Sequence, residues 1–179
     1  MKKAIFDTAK NNEDIVSIYF NQESTDKFIA GHVLYVNEIQ MLIGSIDAYG
    51  NYDGYVTRLL DDAFLVETNT KYTKKLSRLY KHKKQSHEIP VLGNPENLFL
   101  ALLGYAQTSH KAVSVQLFNS GFNDVQGFVD KLTSDTIVLS RVDDNGEPDG
   151  QSDFSLNDVT SISCDSQEDS ALTLLANLA

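Results

Sequence analysis

Residues 31–79 read GHVLYVNEIQMLIGSIDAYGNYDGYVTRLLDDAFLVETNTKYTKKLSRL, and residues 127–175 read GFVDKLTSDTIVLSRVDDNGEPDGQSDFSLNDVTSISCDSQEDSALTLL. The second stretch lies on the first without a gap at an offset of 96 positions. Gly31 meets Gly127, Asp47 meets Asp143, Gly50 meets Gly146, and Asp53-Gly54 meets Asp149-Gly150. Leu60, Asp62, Leu76 and Leu79 meet Leu156, Asp158, Leu172 and Leu175. A repeat of this length is a whole small domain, so the pattern predicts a duplicated one.

Upstream the match continues at an offset of 97. Val16-Ser17-Ile18 lies on Val113-Ser114-Val115, and Ala4, Ile5 and Phe6 lie on Ala101, Leu102 and Leu103. The one-residue slip falls between Asn21 and Phe28, in a polar stretch. Surface loops tolerate such changes in length. The expected organisation is a first repeat over 1–84, a linker over 85–93 that contains Pro90 and Gly93, and a second repeat over 94–179.

One repeat reads as helix, five short strands, helix. The strands expected from β-rich runs are 15–20, 28–36, 41–47, one after Asp53-Gly54, and 63–67. Their counterparts include 112–118, 125–132, 136–143 and 159–164. Gly31 and Gly127 inside strands signal bends or close backbone approaches. Asn-Gly and Asp-Gly pairs between the third and fourth strands mark turns that need positive φ, which glycine adopts without a Cβ clash. Ala4 to Lys10 predicts a short opening helix; in the second repeat Asn94 as cap, Pro95 and Glu96 predict a better one. At the other end Tyr72, Leu76, Leu79 and Tyr80 form one apolar stripe, as do Leu172, Leu175 and Leu178, with Ser166 and Asp169 spaced as a capping pair. Leu76 and Leu175 are expected to be buried against their own repeats.

The chain has 179 residues, 41% hydrophobic and 22% charged, which suits a globular protein. No apolar run is long enough to cross a membrane, and the start lacks the apolar segment of a signal peptide. A single cysteine, Cys164, leaves no intramolecular disulfide, so a cytoplasmic location is expected. Cys164 itself reads as a small buried hydrophobe. The net charge of −10 is uneven: 1–111 carries 13 acids and 13 bases, whereas 112–179 carries 12 acids against Lys131 and Arg141. The molecule is therefore expected to be electrically polar.

The layout of an opening helix, five bent strands, the second-strand glycines Gly31 and Gly127, and the acids Asp47 and Asp143 after the third strand resembles the Sm-like family. That resemblance implies a mainly β fold of two tandem five-stranded Sm-like or SH3-like barrels, each with an N-terminal and a C-terminal helix. The RNA-reading side chains of the family do not carry over. Asn37 and Met41, or Thr133 and Ile137, stand where an aspartate and an asparagine are expected, and Leu65-Val66-Glu67 and Ser161-Ile162-Ser163 replace the arginine-glycine pair. Tyr80-Lys81-His82 is similar to a triplet of the family's bacterial hexameric RNA chaperone, but falls in the terminal helix instead of between the last strands.

Two surface features are candidate sites. Lys71, Lys74, Lys75, Arg78 and Lys81 share the face opposite Leu76 and Leu79, a strip suited to phosphate or to an acidic partner, although a solvated helix face has the same pattern. Tyr49, Tyr52 and Tyr55 surround the glycine turn of the first repeat, placed to stack bases, to form a protein interface or to pack beneath the turn. Asp143, Asn145, Glu147 and Asp149 alternate as in a calcium loop, but Pro148 occupies the position that loop reserves for glycine. The histidines His32, His82, His87 and His110 are scattered and non-equivalent, with His87 read as an exposed linker residue. No nucleophile elbow, phosphate-cradling loop or zinc spacing is present. The expected function is that of a non-enzymatic binding or scaffold protein without cofactor or metal, its partner a protein or a second copy of itself. The alternatives are RNA binding through the basic helix and turn tyrosines, and a ligand sensor or enzyme with a pocket between the repeats.

Overall fold

The computed structural model describes residues 2–88, 90, 92, 95–118 and 124–179. The chain is mainly β and divides into two compact units, 1–89 and 90–179. The first holds α1 (Lys2–Asn12), β1 (Ile15–Tyr19), β2 (Phe28–Val36), β3 (Gln40–Ile46), β4 (Tyr52–Leu59), β5 (Leu65–Thr68) and α2 (Lys71–His82). The second repeats the order with α3 (Leu98–Thr108), β6 (Val113–Leu117), β7 (Val125–Leu132), β8 (Thr136–Val142), β9 (Pro148–Ser155), β10 (Val159–Cys164) and α4 (Gln167–Leu178). One turn of 3-10 helix joins the last two strands of each unit, at Leu60–Asp62 and Leu156–Asp158.

Strands run β5-β1-β2-β3-β4 in the first unit and β10-β6-β7-β8-β9 in the second, all antiparallel. Among the described residues no ladder joins β5 to β4 or β10 to β9, so the pairing forms open antiparallel sheets and does not by itself establish the expected five-stranded barrels. The registers coincide at equivalent positions, apart from a shift at Val159/Ser161 in β10 that β5 does not share. Val16 faces Gly31 and Gly31 faces Ser45; Val113 faces Gly127 and Gly127 faces Arg141. Irregularities fall at Val33/Tyr35 and Val129/Lys131, then at Gly44/Ile46 and Ser140/Val142. A Cβ on Gly31 would lie 2.1 Å from the Gly44 oxygen, and one on Gly127 2.2 Å from the Ser140 oxygen. The bend therefore admits only glycine in both units.

One core is common to both units. Phe6, Ala9, Val16, Ile18, Val33, Met41, Ile43, Leu60 and Ala63 pack together between α1 and the sheet. Their repeat equivalents Leu103, Ala106, Val113, Val115, Val129, Ile137, Leu139, Leu156 and Val159 are all buried too. The opposite face takes the terminal helix. In the first unit Ile15, Ala30, Ile46, Leu76 and Tyr80 bury themselves there with Phe28 and Tyr72 beside them. In the second, Leu172 is 6% exposed while Leu175 is 39% exposed. The expectation that Leu175 is buried is thus wrong by one turn: Leu172, the repeat counterpart of Leu76, takes the buried place. Leu175 corresponds to Leu79, and each leucine lies against the turn glycine of its unit, Gly146 or Gly50.

The opening helix of the second unit begins later than expected. Asn97 caps it, its side chain accepting from the Leu100 N–H, while Pro95 and Glu96 lie in the preceding turn. Asn94, the expected cap, lies outside the described residues. The Ser166–Asp169 capping box on α4 forms as read.

Candidate functional site

The α2 helix owes its orientation to its apolar stripe. Thr70 caps it, and Leu76 and Tyr80 turn into the sheet. That leaves Lys71, Lys74, Lys75, Arg78 and Lys81 exposed, as the spacing predicts. Of these, Lys75, Arg78 and Lys81, with Leu79 and His82, line a cavity of about 660 Å³ that is widely open to solvent. Lys71 and Lys74 do not reach it. Leu79 is not in the buried stripe: it is half-buried, lies against Gly50 and lines the cavity beside the basic residues instead of opposite them. The site concentrates positive charge around one apolar wall.

The three turn tyrosines separate. Tyr49 is 73% exposed at the tip and joins no cluster with the others. Tyr52 and Tyr55 pack edge to face at 5.9 Å beneath residues 85–88. This segment, read from sequence as linker, lies on the first unit. Gln85 accepts the Tyr52 N–H at 2.9 Å, and the Tyr55 hydroxyl donates to the Glu88 carbonyl at 2.6 Å. His87 is not the exposed residue expected. Its ring lies 4.6 Å from Tyr52, 5.8 Å from Tyr55 and stacked at 5.7 Å on Tyr80. Nδ1 is 2.7 Å from the Tyr80 hydroxyl and Nε2 is 3.2 Å from the Gly54 carbonyl. Since a carbonyl only accepts, Nε2 carries the proton and Nδ1 accepts from Tyr80. Burial pushes His87 down to about 4, and the nearby His32 adds to this. Burial likewise pushes the Tyr80 hydroxyl up to about 12 and lowers His32.

The second unit has no such cluster among its described residues. Its turn is held by Asp143, whose Oδ1 accepts from the Asn145 and Glu147 N–H groups at 2.9 Å. Asp47 does the same for Tyr49 and Asn51 at 2.8 Å, so the shared acid is a turn lock. Asp149 pairs with Arg141 at 2.9 Å, and no acidic or histidine cluster among the described residues could hold a metal ion. Cys164 is buried, and burial raises its thiol far above the ordinary range, which leaves it unreactive.

Sequence reasoning missed the His87 cluster because its members lie on four elements and on a segment without periodicity. One signal was present: Gly44 has no glycine counterpart at Ser140, and a Cβ there would lie 2.7 Å from the His87 ring. No helix among the described residues is long and apolar enough to cross a membrane. No protein family, curated protein or solved structure matches the chain.

Proposed function

We propose that this chain is a non-enzymatic binding protein of two Sm-like units that engages an acidic protein segment through the cationic cavity on α2. The cavity supports this reading: Lys75, Arg78, Lys81 and His82 stand around Leu79, a mixture that suits alternating carboxylates and apolar side chains. The order of one helix and five strands, repeated with the same register, supports the Sm-like assignment. RNA ranks lower because two of the three tyrosines suited to base stacking are covered, leaving Tyr49 alone, and because the net charge is −10.

The test is fluorescence anisotropy at about 150 mM salt with a Glu/Leu-rich peptide and a single-stranded RNA of similar charge. The peptide should bind, and the Lys75→Glu, Arg78→Glu, Lys81→Glu triple variant should weaken it at least tenfold, or about 1.4 kcal/mol. Tighter binding of RNA that the same variant abolishes would replace the protein partner with nucleic acid. Peptide binding that ignores the reversal would remove the cavity from the account.

A further inference from the structure

We infer that residues 85–88 form a proton-released strap, in which a neutral His87 holds Tyr52 and Tyr55 covered and a charged His87 lets go. The contacts that define the strap are within the first unit and do not depend on the binding role proposed above.

The strap is held at three points. Gln85 takes the Tyr52 N–H, Tyr55 donates to the Glu88 carbonyl, and the His87 ring fills the space between them. The groove is built for an imidazole. Gly44 makes room for the ring face, Gly54 supplies an acceptor at one nitrogen, and Tyr80 supplies a donor at the other. The second unit provides an internal control. Gly44, Tyr52, Tyr55 and Tyr80 correspond to Ser140, Pro148, Gln151 and Ala176, so all four groove residues differ. At Gly150, the counterpart of Gly54, an added Cβ would meet nothing within 4 Å. The groove is therefore a feature of the first unit and not of the repeated sheet.

Protonation undoes this arrangement. Charged His87 carries a proton on both nitrogens, so the Tyr80 hydroxyl can no longer donate to Nδ1 and must turn its oxygen to accept from it, while the ring brings a charge into a site largely shielded from water. The groups facing the ring determine how well a charge is borne. From β3 come Gly44 and the Ser45 carbonyl, from β4 Tyr52, Tyr55 and the Gly54 carbonyl, from α2 Tyr80, and from β2 His32. The two carbonyls favour the charge, and the tyrosine faces attract a cation. Burial and His32 oppose it and outweigh them, placing the docked ring near 4 against 6.5 in a free chain. His32 itself faces Glu13 and Asp14, which favour its charge, and Lys81, which disfavours it. The docked pKa is the lower one, so the docking free energy has its full value above about 6.5 and falls progressively as pH drops toward 4.

The test is hydrogen exchange of the Tyr52 amide in the intact chain, together with an NMR titration of the His87 imidazole. After correction for intrinsic exchange, Tyr52 protection should fall up to about tenfold per pH unit below 6.5, while Val16 and Ile18 in β1 remain protected. In His87→Phe the Tyr52 amide should lose this pH dependence. A flat Tyr52 profile in the parent overturns the inference. So does a His87 titration near 6.5, a readout that requires no variant to fold. Equal loss at Val16 and Tyr52 would also overturn it, since the event would then be global unfolding.

Discussion

The two units share one face of the sheet and differ on the other. Beneath α1 and α3 the nine equivalent core positions are all buried, and substitutions such as Met41 for Ile137 keep volume and polarity close. Beneath the terminal helices the chemistry changes. α2 docks on the sheet through Phe28, Tyr72, Leu76 and Tyr80. Their counterparts are Asp124, Glu168, Leu172 and Ala176, and α4 docks largely by hydrogen bonds. Buried Asp169 accepts from Ser114 at 2.7 Å, from Ser163 at 3.0 Å and from Ser166 at 2.7 Å. Thr173 accepts the Ala112 N–H at 2.9 Å, and Lys111 pairs with Asp165 at 2.6 Å. A duplicated sheet thus carries one helix on aromatic rings and the other on a polar network. The apolar mode left α2 a free face for lysines and arginine, and left Tyr80 in position to receive His87.

The comparison can be broken most severely at the leucines. Leu76→Ala should destabilise the first unit by about 2–5 kcal/mol through the cavity it leaves, and Leu172→Ala should fall at the lower end of that range. Leu175→Ala should cost under about 1 kcal/mol, because that side chain is already 39% exposed. Denaturant unfolding measures all three. Equal losses at Leu172 and Leu175 would show that α4 uses a wider apolar face than its burial indicates.

A smaller but more symmetric effect is expected at the bend. Gly31→Ala and Gly127→Ala each force a Cβ to within about 2 Å of a carbonyl oxygen, so each should cost about 1–3 kcal/mol or more. Thermal melts that penalise only one of the pair would contradict the equivalence of the two sheets.

The finest test uses the serines on β1 and β6. Ser114 donates to Asp169 and accepts from Gln126, so Ser114→Ala should cost about 1–3 kcal/mol. Ser17, its counterpart, is buried with its hydroxyl unpartnered, because Thr73 stands where Asp169 would. Ser17→Ala should therefore be neutral or slightly stabilising. Matching losses in urea titrations of the two variants would show that a polar docking mode survives in the first unit.

Much of this was legible along the chain. The offset of 96 predicts two like units, and Gly31 with Gly127 marks the bend that both sheets make. The capping pair Ser166–Asp169 sits where its spacing puts it, since capping is local and needs only four consecutive residues. The basic strip on α2 is readable because helix periodicity assigns faces, but its division into cavity-lining Lys75, Arg78 and Lys81 and solvated Lys71 and Lys74 is not.

By itself, the sequence determined the duplication, the order of strands along the chain and the turns, because these follow from period, glycine and short-range hydrogen bonding. The tertiary structure alone decided that the sheets stay open, that Leu172 and not Leu175 takes the buried place, and that Tyr52 and Tyr55 lie under a strap while Tyr49 stands free. Each of these depends on contacts between residues far apart in sequence: Tyr55 and Glu88 are 33 positions apart, and Ser114 and Asp169 are 55. Burial removes water from such contacts and decides which polar partners must be found. Periodicity says which face turns inward, but not which distant side chain will meet it there.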